Sequence, residues 1–227
     1  MPTVLITGAN RGLGLEFARQ YAGEGWRVIA TCRDPENAIE LTRLEGKIEI
    51  YALDIGDHGQ ILSLANSLRK KAIDLLLNNA GIFDPCPSKL GDIEYNTWED
   101  FMHINVMSPF MVCESFRDHV AASNLKKIAI MSSKMGSIDD NSSGGSYVYR
   151  STKAALNAVM KSLSVDLGPR GISVAILHPG WVRTDMGGPN GLIDAPESVN
   201  GLRQVIKGLN LKNSGRFYNY DGSEIPW

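Results

Sequence analysis

Tyr149 and Lys153 form the only Tyr-x-x-x-Lys of the chain. Four residues make one helical turn, so the phenol and the ammonium share a face. A free tyrosine ionises near pH ~10, and a positive charge beside it favours the phenolate and eases release of the proton. Such a pair suits proton donation to a developing alkoxide, as when a hydride adds to a carbonyl. The chain holds seven tyrosines and eleven lysines in 227 residues. Chance alone supplies one pair at this spacing roughly a third of the time, so its setting decides its meaning. Tyr147 is a local competitor, but four residues on it meets Ser151, which is uncharged. Tyr147 is better placed as a border of a substrate pocket.

A second motif lies near the start. Val4-Leu5-Ile6 reads as a short buried strand, and Thr7-Gly8-Ala9-Asn10-Arg11-Gly12-Leu13-Gly14 follows it at once. Leu13, Phe17 and Tyr21 then recur every fourth residue, the mark of a helix with one apolar face. Strand, glycine turn and helix make the unit in which a pyrophosphate rests on backbone N–H groups at a helix N-terminus. Glycine suits that turn because a Cβ would block the ligand or oppose a positive φ. The spacing is G-x-x-x-G-x-G rather than G-x-G-x-x-G.

Elements that position these motifs alternate along the chain. Strands are expected at 4–7, 27–31, 48–53, 73–77, 127–131, 173–177 and near 216–219. Helices are expected at 15–24, 59–71, 97–122, 147–167 and 197–209, with Pro109 kinking the third. This alternation implies an α/β, Rossmann-type doubly wound parallel sheet of about seven strands with helices on both faces. One domain, residues 1–227, would carry both cofactor and substrate. Ligands in such sheets sit beyond the C-terminal strand ends, where strand order reverses. The residues 8–14, Asp54, 78–81, Ser132-Ser133 and 179–184 all follow an expected strand. Asp54 is open to a second role as a helix cap, and Asn78 and Asn79 to one as turn residues.

Taken in order, these motifs resemble the short-chain dehydrogenase/reductase family in its short form. The matching residues are the glycine turn, Leu53-Asp54-Ile55, Asn78-Asn79-Ala80-Gly81, Asn105, Ser132-Ser133, Tyr149-x-x-x-Lys153 and Pro179-Gly180-Trp181-Val182-x-Thr184. Within the family the chain is most similar to the C-factor and sniffer-type carbonyl reductases. Its pointers are residues 133–138, the Asn141-to-Gly145 loop, and the tail with Tyr220-Asp221-Gly222 and Ile225-Pro226-Trp227.

The resemblance implies reduction of a carbonyl by a nicotinamide cofactor, with Asn105, Ser133, Tyr149 and Lys153 as the catalytic set. Tyr149 would be the acid, Ser133 would orient the carbonyl, and the Asn105 amide would hold a water linking Lys153 to solvent. Ser132 and Ser137 stand as alternatives to Ser133. Gly8, Asn10, Arg11, Gly12, Leu13 and Gly14 would cradle the pyrophosphate, and Asp54 and Ile55 would meet the adenine. Asn78, Asn79, Ala80 and Gly81 would line the ribose. Tyr149 and Lys153 would also touch the cofactor, while Pro179, Gly180, Val182 and Thr184 would hold the nicotinamide end. Relatives pair through long helices, so a homodimer or homotetramer is expected.

The second strand ends Ala30-Thr31-Cys32-Arg33-Asp34. By resemblance, an acid that selects NAD would stand at Cys32, and here it is absent. Arg33 follows, and Arg11 is within reach of the same site, so NADPH is expected over NADH, because a 2′-phosphate needs cations. Asp34 is the rival reading, although Pro35 after it favours a capping role.

A formal charge of −2 leaves no footprint for nucleic acid or an acidic membrane. No leader or membrane-length apolar run is apparent, and Cys32, Cys86 and Cys113 lack metal spacing, so they read as packing residues of a cytoplasmic protein with no metal. Substrate specificity is expected in the loops 82–94 and 186–197. Phe83, Met135, Tyr147, Trp181 and Met186 would form an apolar wall under an open, glycine-rich lid, which favours aldehydes, diketones and quinones.

Overall fold

Five short runs rich in Val, Ile, Leu and Ala are buried almost throughout, as central parallel strands require, and two further runs at the sheet edges are partly exposed. The computed structural model describes residues 1–83 and 89–227; Cys86 lies outside them. The strands are β1 (Thr3–Thr7), β2 (Arg27–Cys32), β3 (Lys47–Ala52), β4 (Leu75–Asn78), β5 (Lys127–Met131), β6 (Ser173–His178) and β7 (Arg216–Asn219). All pair in parallel, in the order β3-β2-β1-β4-β5-β6-β7. The chain therefore reverses direction across the sheet between β1 and β4, which opens a crevice at their C-terminal ends.

Alternate residues divide the sheet between two cores. Leu5, Ile29, Leu76, Ile128, Ile130, Val174 and Ile176 face helices α3 (His58–Ser67), α5 (Ser108–Ala121) and α6 (Tyr147–Leu167). Val4, Ile6, Val28, Ala30, Leu75, Leu77, Ala129 and Leu177 face α1 (Gly12–Gly23) and α7 (Ala195–Gly208). Each fully buried aliphatic side chain contributes about 1.5–3 kcal/mol, so a slip of one residue would invert a whole strand and is strongly opposed. That register holds the strand ends, and the loops on them, in one rim.

Two elements depart from expectation. A single turn, α2 (Ile39–Thr42), is too short to show a helical period. The region expected as one helix over 97–122 is α4 (Tyr95–Met102), a π-turn (His103–Met107) and α5. The break thus precedes Pro109 rather than falling on it. Pro109 has no N–H for the carbonyl four residues back, that of Asn105. The helix widens to compensate, and both the N–H and the hydroxyl of Ser108 donate to the His103 carbonyl. Among the described residues, no helix is long and apolar enough to cross a membrane.

Candidate active site

The glycine turn closes on itself. Gly8 and Gly12 have φ of 66° and 54°, a region that favours glycine. A Cβ on Gly14 would overlap the Gly8 carbonyl oxygen and come within 2.6 Å of Asn79 Nδ2. No side chain caps the N-terminus of α1, and its first turn holds no acid. The free N–H groups there form an anion cradle suited to a pyrophosphate.

Asn79 supports that cradle from behind. Its Nδ2 donates to the carbonyls of Thr7 (2.9 Å) and Gly8 (3.0 Å), while the N–H groups of Asn79 and Ala80 both donate to Thr7 Oγ1 at 3.0 Å. Asn78 is buried and turned away, donating to Cys113 Sγ (3.1 Å) and the Pro109 carbonyl (3.4 Å). The Nδ2 groups of both amides are thus engaged by protein. Asp54 does not cap α3; its Oδ1 accepts from Gly56 N–H at 2.9 Å, and Asp57 is the cap, accepting from Gln60 N–H. Ile55 is buried beside it.

At the end of β2, Cys32 is buried and Arg33 exposed. Asp34 is engaged by Asn37, whose Nδ2 (2.6 Å) and N–H (3.3 Å) donate to it and hold its carboxyl below the usual range. Arg33 forms no ion pair among the described residues, whereas Arg11 reaches Asp185 at 3.2 Å and Asn10 is exposed beside it.

Beyond β5 and β4 the expected chemical set comes together. The Ser133 side chain faces the Tyr149 hydroxyl and favours its ionised form. Phe83 meets the Tyr149 ring edge-on, 4.8 Å between centroids. Lys153 is buried, its Nζ 5.7 Å from the Tyr149 ring centroid and donating to the Met131 carbonyl at 3.1 Å. Ser132 faces inward instead, giving its hydroxyl to Asn157 Oδ1 (2.6 Å), and Ser137 gives its own to the Trp227 main-chain oxygen (3.1 Å). Ser133 is therefore the serine at Tyr149. Asn105 is 1 % exposed, and its amide clasps the Ile82 backbone: Oδ1 accepts from Ile82 N–H at 2.9 Å and Nδ2 donates to Ile82 O at 3.0 Å. Gly81 passes so near that a Cβ would lie 3.0 Å from Asn105 Oδ1 and 3.8 Å from Lys153 Nζ.

A family model described as short chain dehydrogenase matches residues 2–191. The chain belongs to the short-chain dehydrogenase family. Among its relatives, C-signal of Myxococcus xanthus is 44% identical over 155 residues, covering 68% of this chain and 93% of that protein. The 1-hydroxy-2-glutathionyl-2-methyl-3-butene dehydrogenase of Rhodococcus sp. (strain AD45) is 32% identical over 233 residues and covers all of both chains. Of solved structures, carbonyl reductase Sniffer of D. melanogaster superposes with a TM-score of 0.92 at 35% identity over the full length of both. The NADPH-bound carbonyl reductase from chicken fatty liver gives 0.93 at 32% identity, covering 100% of this chain and 99% of that one.

In this short-chain dehydrogenase the loop after β6 is more tied down than an open lid. Arg183 N–H donates to the Ile193 carbonyl (2.9 Å), Arg183 Nη1 to Gly191 O (2.9 Å) and Leu192 N–H to Trp181 O (2.7 Å). Thr184 Oγ1 accepts from Gly187 N–H at 3.1 Å, and Pro179 O accepts the Ser198 hydroxyl at 2.6 Å. Val182 is buried. Gly180 has φ of 82°, and a Cβ there would lie 2.8 Å from Ile193 and 3.0 Å from the Tyr220 ring. Trp181, Met186 and Tyr147 are exposed on the rim, with Met135 half-buried below them. Among the described residues no His, Cys, Asp and Glu cluster could hold a metal.

Several supporting atoms escape a reading of motifs. Thr7 Oγ1, the Met131 carbonyl and the Ile82 backbone carry no signature of their own. Gly136 left a faint one, a glycine three residues after Ser133; a Cβ there would lie 2.7 Å from the Lys153 backbone.

Electrostatics differ from the expected phenolate. Burial pushes Tyr149 up to about 12, and the Ser133 side chain opposes it in part. Burial likewise pulls Lys153 down to about 8. In the ligand-free chain burial outweighs the ammonium 5.7 Å from the ring, and Tyr149 is neutral at neutral pH. An ammonium has three donors, and Met131 supplies its one acceptor among the described residues. Lys153 binds its proton less tightly folded than unfolded. Its charge therefore costs stability in full below pH 8, and that cost fades as pH rises from about 8 to the ordinary 10.5. Lys153→Met should stabilise the ligand-free protein by about 2 kcal/mol at neutral pH, desolvation relieved less one lost hydrogen bond. Urea unfolding of both proteins at neutral pH and above the unfolded lysine's pKa checks this. The advantage should vanish at the higher pH, and a destabilised variant at neutral pH would contradict it.

Proposed function

We propose that this dehydrogenase reduces a carbonyl, an aldehyde, diketone or quinone, to an alcohol with NADPH, and that Tyr149 is the acid. The observation that carries the proposal is Tyr149 beside Ser133, with the buried Lys153 ammonium 5.7 Å from its ring, at the mouth of the anion cradle. When bound, the cofactor supplies the hydride. The chain's own residues do the rest. Ser133 and Tyr149 offer two adjacent hydroxyls to one substrate oxygen, and Tyr149 holds its proton until an alkoxide more basic than a phenolate develops. Phe83 shields the phenol from water. The two spare Lys153 donors suit ribose hydroxyls, and two new acceptors there would offset part of the burial of its charge.

NADPH is favoured because Asp34 is occupied by Asn37 while Arg33 stays free, and because the chicken carbonyl reductase holds NADPH. We read the chain as one domain serving both ligands. A second reading, a cofactor-binding regulatory protein, is favoured by the likeness to C-signal. It predicts binding without turnover, and a pure sensor has no need of the Ser133–Tyr149–Lys153 set.

Tyr149→Phe should lower kcat at least about 100-fold, the weight of one positioned acid, with NADPH affinity nearly unchanged. Fluorescence titration and steady-state assay together check this, and near wild-type turnover would remove Tyr149 as the acid. Arg33→Ala should raise the KM for NADPH roughly tenfold and leave that for NADH alone, as expected for one lost charged hydrogen bond. An unchanged NADPH KM would reject the Arg33 assignment.

A further inference from the structure

Ser133 sits on a turn, not on a regular element, so something must hold it. It opens the 3-10 turn Lys134–Gly136, where Met135 N–H donates to Ser133 Oγ (3.2 Å) and Gly136 N–H to Ser133 O (2.8 Å). On one side the turn is pressed to α6, where Gly136 touches the Lys153 backbone and its carbonyl accepts from Asn157 Nδ2 at 3.4 Å. On the other side Lys134 pairs with Asp140 at 3.1 Å, and the main-chain oxygen of Trp227 gathers the residues that follow the turn. That oxygen accepts from Ser137 Oγ (3.1 Å), Asp139 N–H (3.1 Å) and Ile138 N–H. The Ser137 hydroxyl also accepts from Asp140 N–H at 3.1 Å, so the cluster fixes four successive residues.

Trp227 is itself anchored. After β7 the chain doubles back: Ile225 N–H donates to Phe217 O at 2.8 Å, and Tyr218 bridges Glu224 in antiparallel fashion. The Trp227 ring stacks on buried Phe217, 5.9 Å between centroids and 19° between planes. A mechanical link thus runs from the edge strand of the sheet, through the tail, to the turn that carries Ser133.

We propose that Trp227 is a positioning residue for catalysis: its main-chain oxygen, seated by the ring stack on Phe217, aims Ser133 at Tyr149. The inference rests on the carbonyl reductase reading. Freed of that oxygen, the amides of Ile138 and Asp139 turn to water, and the Ser133 turn is held from α6 and by the Lys134–Asp140 pair. The glycine cradle lies across the crevice on β1 and β2 and shares no bond with the tail. The loss should therefore fall on turnover and spare the cofactor.

The test uses the full chain with NADPH and phenanthrenequinone. Trp227→Ala should lower kcat roughly tenfold or more, as small misplacements do, with the KM for NADPH unchanged. Trp227→Phe, which keeps a stacking ring, should restore it, and the milder Ser137→Ala should fall between. Hydrogen exchange at Ile138 and Asp139 should speed up in Trp227→Ala and recover in Trp227→Phe. Unchanged kcat in both Trp227→Ala and Ser137→Ala overturns the proposal, as does equal loss of kcat and NADPH affinity. If the wild type turns nothing over, the reductase reading fails and the anchor is judged by exchange alone; unaltered exchange overturns it as well.

Discussion

A lysine ammonium buried against one carbonyl is the constraint around which this site is built. Lys153 lies in the interior of α6 with Met131 O as its acceptor, and the chain accommodates it on every side. A Cβ on Gly136 would press on the Lys153 backbone, and one on Gly81 would press on the Asn105 amide beside it. Asn105 locks Ile82 and so fixes the wall beside Gly81. Leaving a charge so poorly satisfied costs stability, and sites that do so commonly hold a ligand or a reaction.

The sheet turns these local demands into one place. β1, β4, β5 and β6 are neighbours in space though dispersed in sequence, and their C-terminal ends carry the glycine turn, the Ala80-Gly81 wall, the Ser133 turn and the Pro179-Gly180 corner. Two opposed apolar faces fix each strand's register, so core packing sets the position of polar groups that never touch the core. The Asn79 bonds to Thr7 and Gly8 show this directly, since they span the very pair of strands between which the order reverses.

Much of this was legible in the sequence because it rests on local spacing. Strand alternation, the glycine turn, the 147–167 helix and the Tyr149–Lys153 pair are all short-range patterns, and each is found in place. What escaped was decided by partners far along the chain. Asn78 and Asn79 look alike in sequence, yet one faces α5 and the other the glycine turn. Three serines near residue 133 differ only in whether Asn157, Tyr149 or Trp227 meets them. The tail's grip on Asp139 joins residues with no motif between them. The π-turn arose from Pro109, visible as a breaker but not as a widening four residues earlier.

The proposed activity of this crevice is NADPH-dependent carbonyl reduction rather than cofactor binding alone. The most direct measurement is absorbance-monitored oxidation of NADPH by the purified wild-type chain against quinones, α-diketones and aldehydes, with NADH run in parallel. Turnover of at least one carbonyl, strongly favouring NADPH, is expected. Tight NADPH binding with no turnover of any carbonyl would contradict the proposal and bring the regulatory reading forward.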